Sequence, residues 1–392
     1  MCVITCALIV LVITGYILKS ITKPKNFPPG PKWYPIFGCS ALVQNMVRKH
    51  GSQWKGLSAI AKEYSTKVLG IKLGSEPIVV VFGENNVRRV FTEKEFEGRP
   101  DTFFIKLRCL GKRMGITFAD GALWREHRQF TVKHLKNVGF GKTAMEAHIQ
   151  NEMQKILNYI SNQNNKPFNP KNMLAMSVIN ILWKFTAEEQ LKVICLDILI
   201  AGSQTTSNVL EFAILKVLRE KNIQEKIFNE IVNTLGDDTP SWADSNRLVY
   251  TMAFLSEIQR YFTIVPIAGP RRALEDVNME GFLIPKDTTI LISVGDVHFD
   301  RDIWQEPEKF MPERFIDETG RLKDIEHMYP FGIGRRRCPG DSLAKSFIFI
   351  VFVGIMQKYR IECSNGVLPS EDPIIGLISS ARPFTAEFIL RE

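Results

Sequence analysis

The chemistry in this chain concentrates in ten residues, Phe331-Gly332-Ile333-Gly334-Arg335-Arg336-Arg337-Cys338-Pro339-Gly340. One thiol stands beside three arginines, just before a helical pattern whose expected first position is Pro339. Proline suits a first helical position, and the positive end of the helix dipole favours an anion there. Dipole and arginines together stabilise the thiolate of Cys338, which makes it a metal ligand or a nucleophile. A nucleophilic cysteine needs a His and an Asn or Asp partner set, and nothing in the sequence points to one. Gly334 and Gly340 let the backbone approach a flat ligand closely, and Phe331 can shield the sulfur from water. The seven cysteines are scattered without a CxxC pair, which argues against a disulfide framework, a zinc ribbon or a thioredoxin-type motif.

Other residues stand at spacings that share a helix face. Trp124 and Arg128 lie four apart and can reach the same anionic group; Glu257 and Arg260 lie three apart. With these in place, the chain resembles the cytochrome P450 superfamily, the haem-thiolate monooxygenases. The Cys338 loop matches FxxGxRxCxG. Glu257-Ile258-Gln259-Arg260 is similar to the ExxR helix motif, and Pro312-Glu313-Arg314-Phe315 to the PERF segment. Ala201-Gly202-Ser203-Gln204-Thr205-Thr206 resembles the oxygen-activation motif AGx(D/E)TT. The motifs occur in the family's order, and the resemblance covers nearly the whole chain.

The resemblance implies a mainly α (α+β) fold, a helical bundle around a buried haem with small marginal β-sheets. It implies haem b with Cys338 as the axial thiolate, which pushes electron density onto the iron. By the same analogy Arg336, Trp124, Arg128 and Arg271 hold the haem propionates, with Arg99 a weaker candidate. Glu257, Arg260 and Arg314 form a buried structural network beneath the haem-binding loop. Thr205 is the oxygen-side hydroxyl, Ala201 and Gly202 leave room for O2, and a Thr-rich kink frees backbone carbonyls there. The family usually has an acid where this chain has Gln204, and an amide can position water but delivers no proton. Phe118, Ala201, Val265, Ile267 and Leu377 are the substrate-facing positions by analogy, and their apolar character predicts a hydrophobic substrate.

The elements that must position these residues are legible in outline. Apolar residues make up 45% of the chain and charged residues 23%, ordinary globular proportions that exclude disordered and low-complexity classes. Residues 41–65 read as helical, and 67–73 and 78–82 as strands split by a Gly-Ser-Glu-Pro turn. From 120 to about 262 the apolar spacing is helical, broken at 139–141, 162–170 and 236–240. Short strands are predicted at 265–268 and 288–294, a turn-rich stretch at 306–330, a strong helix from about 339 to 358, and strand and loop beyond 361.

Residues 1–18 carry no charge and read as a membrane anchor followed by Lys19, Lys23 and Lys25. That charge order places the remainder on the cytosolic side. Residues 19–40 form a basic and proline-rich hinge, a stiff spacer between membrane and body. Residues 41–392 form the haem-binding domain. The anchor and the hinge resemble those of microsomal members, which implies an endoplasmic reticulum membrane location. The formal charge of +8 shows no basic stripe interleaved with aromatics, so nucleic acid is not an expected partner. Arg335, Arg337 and Lys345, with Arg125 and Lys133, offer positive charge to an acidic flavoprotein donor. The resemblance implies an NADPH-dependent reductase, with cytochrome b5 as a second donor, and membrane lipid as a further partner. The runs Phe96-Glu97-Gly98-Arg99-Pro100-Asp101 and Leu107-Arg108 through Gly115-Ile116 resemble insect microsomal members, some of which act on hormone-like terpenoids or steroids.

The length departs from the family. Between Phe185 and Leu191 the chain passes straight into the oxygen-activation helix, where the family has several lid helices, about a hundred residues by ordinary helix and loop lengths. The internal truncation is expected near 187–189, closed by a short αα-hairpin turn. Three functions follow: a membrane-anchored monooxygenase that hydroxylates or epoxidises a lipophilic molecule; a truncated, non-catalytic chain with poor haem binding; or a member that rearranges a peroxide without reductase. Thr205 and the anchor weigh against the third, and Gln204 leaves it open.

Overall fold

The uncharged N-terminal run forms helix α1 (Cys2–Ile21), which ends three residues past the anchor expected, because Lys19, Ser20 and Ile21 continue the helix. Its window Ile4–Ile21 has a mean hydropathy of 2.2 and is exposed along its length. The computed structural model describes residues 2–108, 114–137, 139–186, 192–364 and 366–391. The joint expected at 187–189 therefore lies outside the described residues. So does most of the run between Arg108 and Gly115.

The hinge is not a free spacer. Gly70 donates its amide to the Pro29 carbonyl (2.8 Å), and a Cβ on Gly30 would overlap the Gly70 carbonyl oxygen. Phe27 and Trp33 are buried and meet edge to face. Proline lacks a donor but keeps its carbonyl, so the segment can still accept from a strand. It is followed by α2 (Ser40–His50), ended by Gly51 at φ 71°, and α3 (Gln53–Glu63), whose first turn is capped by Ser52. Strands β1 (Val68–Leu73) and β2 (Glu76–Val81) pair antiparallel through the two-residue turn Gly74-Ser75, with Gly74 at φ 61°. Helices α4 (Glu84–Thr92) and α5 (Phe103–Arg108) follow.

The helical stretch resolves into α6 (Gly121–Asn137), α7 (Thr143–Ser161), α8 (Lys171–Thr186), α9 (Lys192–Arg219), α10 (Lys221–Leu235) and α11 (Val249–Phe262). Next come β3 (Ile267–Arg272), β4 (Val277–Met279), β5 (Phe282–Ile284), β6 (Thr289–Ser293) and the short α12 (Val294–His298). Helix α13 (Asp341–Lys358) and the pair β7 (Tyr359–Glu362) and β8 (Glu387–Leu390) close the chain.

These elements divide into two bodies. The first comprises Met1–Ile105, Pro266–Asp300 and Gly332–Arg337. It holds a four-stranded sheet in the order β1-β2-β6-β3, with β2 and β6 parallel. Val79, Val80 and Val81 are all buried, as a strand covered on both faces requires. The second comprises Lys106–Val265, Arg301–Phe331 and Cys338–Glu392. Its core surrounds α13, which is apolar on all sides and buried from Ser346 to Met356, as expected of a central helix. Phe254 stacks on Phe352, and Phe212 on Phe262. Helix α9 is long and apolar enough to cross a membrane, yet its residues from Thr206 to Leu218 are buried, so it serves as a core helix.

Candidate active site

In the second body the Cys338 amide donates to the Phe331 carbonyl (2.9 Å), which closes the loop just ahead of α13. Gly340, at φ −95° and ψ 10°, is the N-cap, so the helix starts at Asp341. Pro339 therefore precedes the cap and is not the first helical residue. The thiol is half-buried and stands at the N-terminal end of the most buried helix in its body. A Cβ on Gly340 would meet only the Cys338 sulfur within 4 Å, at 3.9 Å. Lys345, one turn into α13, places its ammonium 5.4 Å from the Phe331 ring centroid. Part of the expected partner-facing charge thus packs on the Phe331 ring.

Helix α6 brings its expected pair together. Trp124 is buried, and the Arg128 guanidinium lies 5.8 Å from its ring centroid, while Arg125 and Lys133 are exposed. Helix α9 carries the oxygen motif without a break in its helical assignment. The Thr205 hydroxyl donates to the Ala201 carbonyl (2.8 Å), back-bonding within the turn instead of freeing a carbonyl. Its acceptor lone pairs remain for a water or a ligand. Gly202 serves packing: a Cβ there would come within 2.9 Å of Leu182 of α8. The room expected for O2 on its account is taken by that leucine. Ala201 and Gln204 are exposed.

The charge network forms as expected. Glu257 accepts two bonds from Arg260 (2.7 and 2.9 Å), one from Arg314 Nε (3.2 Å) and one from the Met311 amide (2.8 Å). Arg260 also donates to the Pro307 and Lys309 carbonyls, and Arg314 to those of Gln305, Glu306 and Lys309. Burial lowers the Arg314 guanidinium's pKa, and the Glu257 charge works against that. The network thus holds the residues 305–311 that the turn-rich composition left loose.

Sequence reasoning missed Asp197, buried on α9, whose Oδ2 accepts the amides of Ile116 (2.9 Å) and Thr117 (3.0 Å). This fixes the backbone beside Phe118, which is half-buried. A carboxylate inside an apolar helical run was the available signal. Val265 is half-buried and Leu377 is 81% exposed.

The first body carries the remaining residues. Gly334 has φ 73°, and a Cβ there would overlap the Phe91 carbonyl oxygen, so only glycine fits. Arg271 lies within β3, not after a strand, and places its guanidinium 5.9 Å from the Phe91 ring centroid. Arg271 is 3% exposed and Arg336 is 9% exposed. Ile267 is buried in the core of the four-stranded sheet, so sheet packing accounts for its apolar character. Arg99 donates to the Gly269 and Pro270 carbonyls, and Arg335 pairs with Glu97 (3.1 Å).

Each body by itself offers groups that suit a haem: the second has one soft thiol ahead of a helix, and the first has guanidiniums of a burial that ordinarily needs a partner. A haem brings an iron and two carboxylates. The family profile described as Cytochrome P450 matches residues 28–189 and 184–388. The chain belongs to the cytochrome P450 family. It is 31% identical to Probable cytochrome P450 305a1 of Drosophila melanogaster over 496 positions, covering 98% of each chain. It is 30% identical to Farnesoate epoxidase of Bombyx mori over 487 positions, covering 97% of this chain and 98% of the relative. With Cytochrome P450 2J3 of Rattus norvegicus the identity is 27%, covering 87% and 86%. As a P450, the protein is an oxidoreductase of the monooxygenase class with a haem-iron cofactor. The alignment to the Drosophila relative needs at least 104 more positions than this chain's 392 residues can fill. The two stretches of the family match meet at 184–189, between α8 and α9.

Proposed function

We propose that this P450 is a membrane-anchored monooxygenase of the endoplasmic reticulum. It places one atom of O2 into a lipophilic substrate, with electrons from NADPH delivered by a reductase. The half-buried Cys338 thiol ahead of α13 carries the reading, because a soft thiolate there would suit the haem iron as a ligand. When bound, the haem supplies the oxygen chemistry. Trp124, Arg128, Arg271 and Arg336 would hold its carboxylates, and Phe331 would keep water from the sulfur. Thr205, its own proton committed to Ala201, accepts a hydrogen bond from a water on the exposed side of α9. Gln204 orients that water, and the proton itself comes from solvent because an amide cannot release one. The farnesoate named in the Bombyx relative makes a sesquiterpenoid acid the first substrate to try.

The exposed apolar residues Met176, Ile179 and Trp183 of α8 and Leu196 and Ile200 of α9 favour a second reading. They lie on the two helices either side of the break in the family match, where a lid segment would join. An uncovered roof admits water and releases activated oxygen unproductively. The test is the reduced, CO-treated spectrum of the full chain in lipid nanodiscs, followed by turnover of farnesoate with NADPH and reductase. A thiolate-type Soret band that Cys338→Ala abolishes, together with an oxygenated product, supports the monooxygenase. No band at all overturns the haem-thiolate reading for this chain. A band with peroxide but no product decides for the open-roof variant, and conversion of an organic hydroperoxide to an isomer that keeps both oxygen atoms, without O2 or reductase, decides for the rearranging alternative.

A further inference from the structure

Several segments that carry proposed active-site residues converge, within the second body, on one serine. Ser379 is 6% exposed and has each of its polar groups engaged. Its amide donates to the Ile264 carbonyl (2.8 Å), its hydroxyl to the Thr263 carbonyl (3.3 Å), and its carbonyl accepts from Asn208 Nδ2 (2.8 Å). Asn208 is 4% exposed and sits on α9 three residues past Thr205, so the two share a helix side. Ile264 is followed by Val265, and Leu377 stands two residues before Ser379.

The tail loop is also closed on itself. Ile374 and Ser380 exchange backbone hydrogen bonds (2.8 and 3.1 Å), which makes residues 374–380 a ring with Leu377 in its middle. A second hold lies further along α9, where Lys216 and Arg219 both donate to Glu371 (2.9 and 2.8 Å). The turn at the other end of the node is strained. Thr263 is a β-branched residue at φ 36° and ψ 75°, a left-handed conformation that such residues rarely adopt. Its hydroxyl bond to the Arg260 carbonyl (2.5 Å) and the Ser379 contact hold it there.

The chemistry at position 208 is specific. A buried carbonyl needs a donor at that reach, and an aliphatic side chain would leave the Ser379 oxygen unsatisfied away from water. The bond therefore sets the register of the tail loop, and of the turn after α11, against the α9 turn that carries Thr205.

We propose that Asn208 and Ser379 are positioning residues that fix Leu377 and Val265 relative to Thr205. They thereby decide which carbon of a bound lipophilic substrate is presented for oxidation. This rests on the active-site reading given under Proposed function.

The test uses the full chain in nanodiscs as wild type, Asn208→Leu, Asn208→Asp and Ser379→Ala. Asn208→Asp keeps the volume but turns an acceptor toward the Ser379 carbonyl, so it carries the test if Asn208→Leu does not accumulate. Ser379→Ala keeps both backbone bonds but loses the hydroxyl bond to the Thr263 carbonyl, so it is expected to shift exchange and product ratio in the same direction as the Asn208 variants, by less. Amide hydrogen exchange in 374–381 is expected to quicken about tenfold in the Asn208 variants, with α13 unchanged. With farnesoate as probe, the ratio of oxidation products is expected to shift at least about threefold at an unchanged CO-spectrum amplitude. Unchanged exchange overturns the positioning role. Faster exchange with an unchanged product ratio overturns the role in specificity. A wild type without the thiolate band fails the haem reading instead, and the exchange measurement then decides the positioning role by itself.

Discussion

Replacing Glu257 with alanine would leave two buried guanidiniums, those of Arg260 and Arg314, without the carboxylate they share. The side chain accepts four hydrogen bonds, three of them from arginine, and both Glu257 and Arg260 are fully buried. Breaking a buried pair by removing one partner costs about 3–5 kcal/mol, since the remaining charge stays out of water. A third charge in the cluster puts the expected loss at the upper end, about 4–5 kcal/mol. That is a large share of the ~5–15 kcal/mol stability of an ordinary domain. Pulse proteolysis of the full chain in nanodiscs across a urea series measures the change. The double variant Glu257→Met with Arg260→Met removes both charges of the tightest pair, so it is expected to lose less than the sum of its single variants. A loss below about 1 kcal/mol for Glu257→Ala, or strict additivity in the double variant, would refute the reasoning.

Glu211 on α9 is 1% exposed; burial pushes its carboxyl up to about 7, and Lys171 at 3.8 Å only partly opposes this. A raised folded-state value means that the folded state holds the proton more firmly, so this group's contribution falls as pH rises from about 4.5 to about 7 and is flat above. Glu211→Gln should remove that slope and raise stability at pH 8 by about 3 kcal/mol, read as a urea midpoint series against pH. Gly334→Ala forces a Cβ onto the Phe91 carbonyl at a positive φ, and should destabilise by more than about 1 kcal/mol, measured by the same proteolysis. Ile179→Ser with Trp183→Ser should leave stability within about 0.5 kcal/mol per site while reducing dye binding and aggregation in low detergent, because both side chains are already exposed.

The sequence made the helical stretch from α6 to α11 legible because its apolar spacing and its Gly and Pro breaks agree with one another. Boundaries moved where a local device overrode the pattern. Gly269 and Pro270 read as the end of a strand, yet a register shift between Ala268 and Arg271 lets β3 continue and carries Arg271 into it. Pro339 read as the first helical residue, and Gly340 took the cap instead. The packing of the hinge on β1 left no signal, because it runs from backbone amide to backbone carbonyl. Asp197, Asn208 and Glu211 were missed for a related reason: Asp197 and Glu211 are isolated carboxylates in apolar runs of α9, Asn208 ends a run of polar residues, and only their partners show their tasks.

The same helices explain how a chain shorter than its relatives can keep its core. On α8 the inward residues Leu174, Val178, Ile181 and Leu182 are buried, and Leu182 seats against Gly202 of α9. These α8 residues belong to one apolar core with α7, α11 and α13. On the outer side Met176, Ile179 and Trp183 recur at three and four residues, the spacing of a second apolar stripe. A helix exposed on that side would ordinarily carry charge there, which is the observation behind the open-roof reading proposed above. Stability depends on the inner stripe, which is satisfied. Exclusion of water from the chemistry depends on whatever covers the outer one, and the two properties should therefore respond to different substitutions.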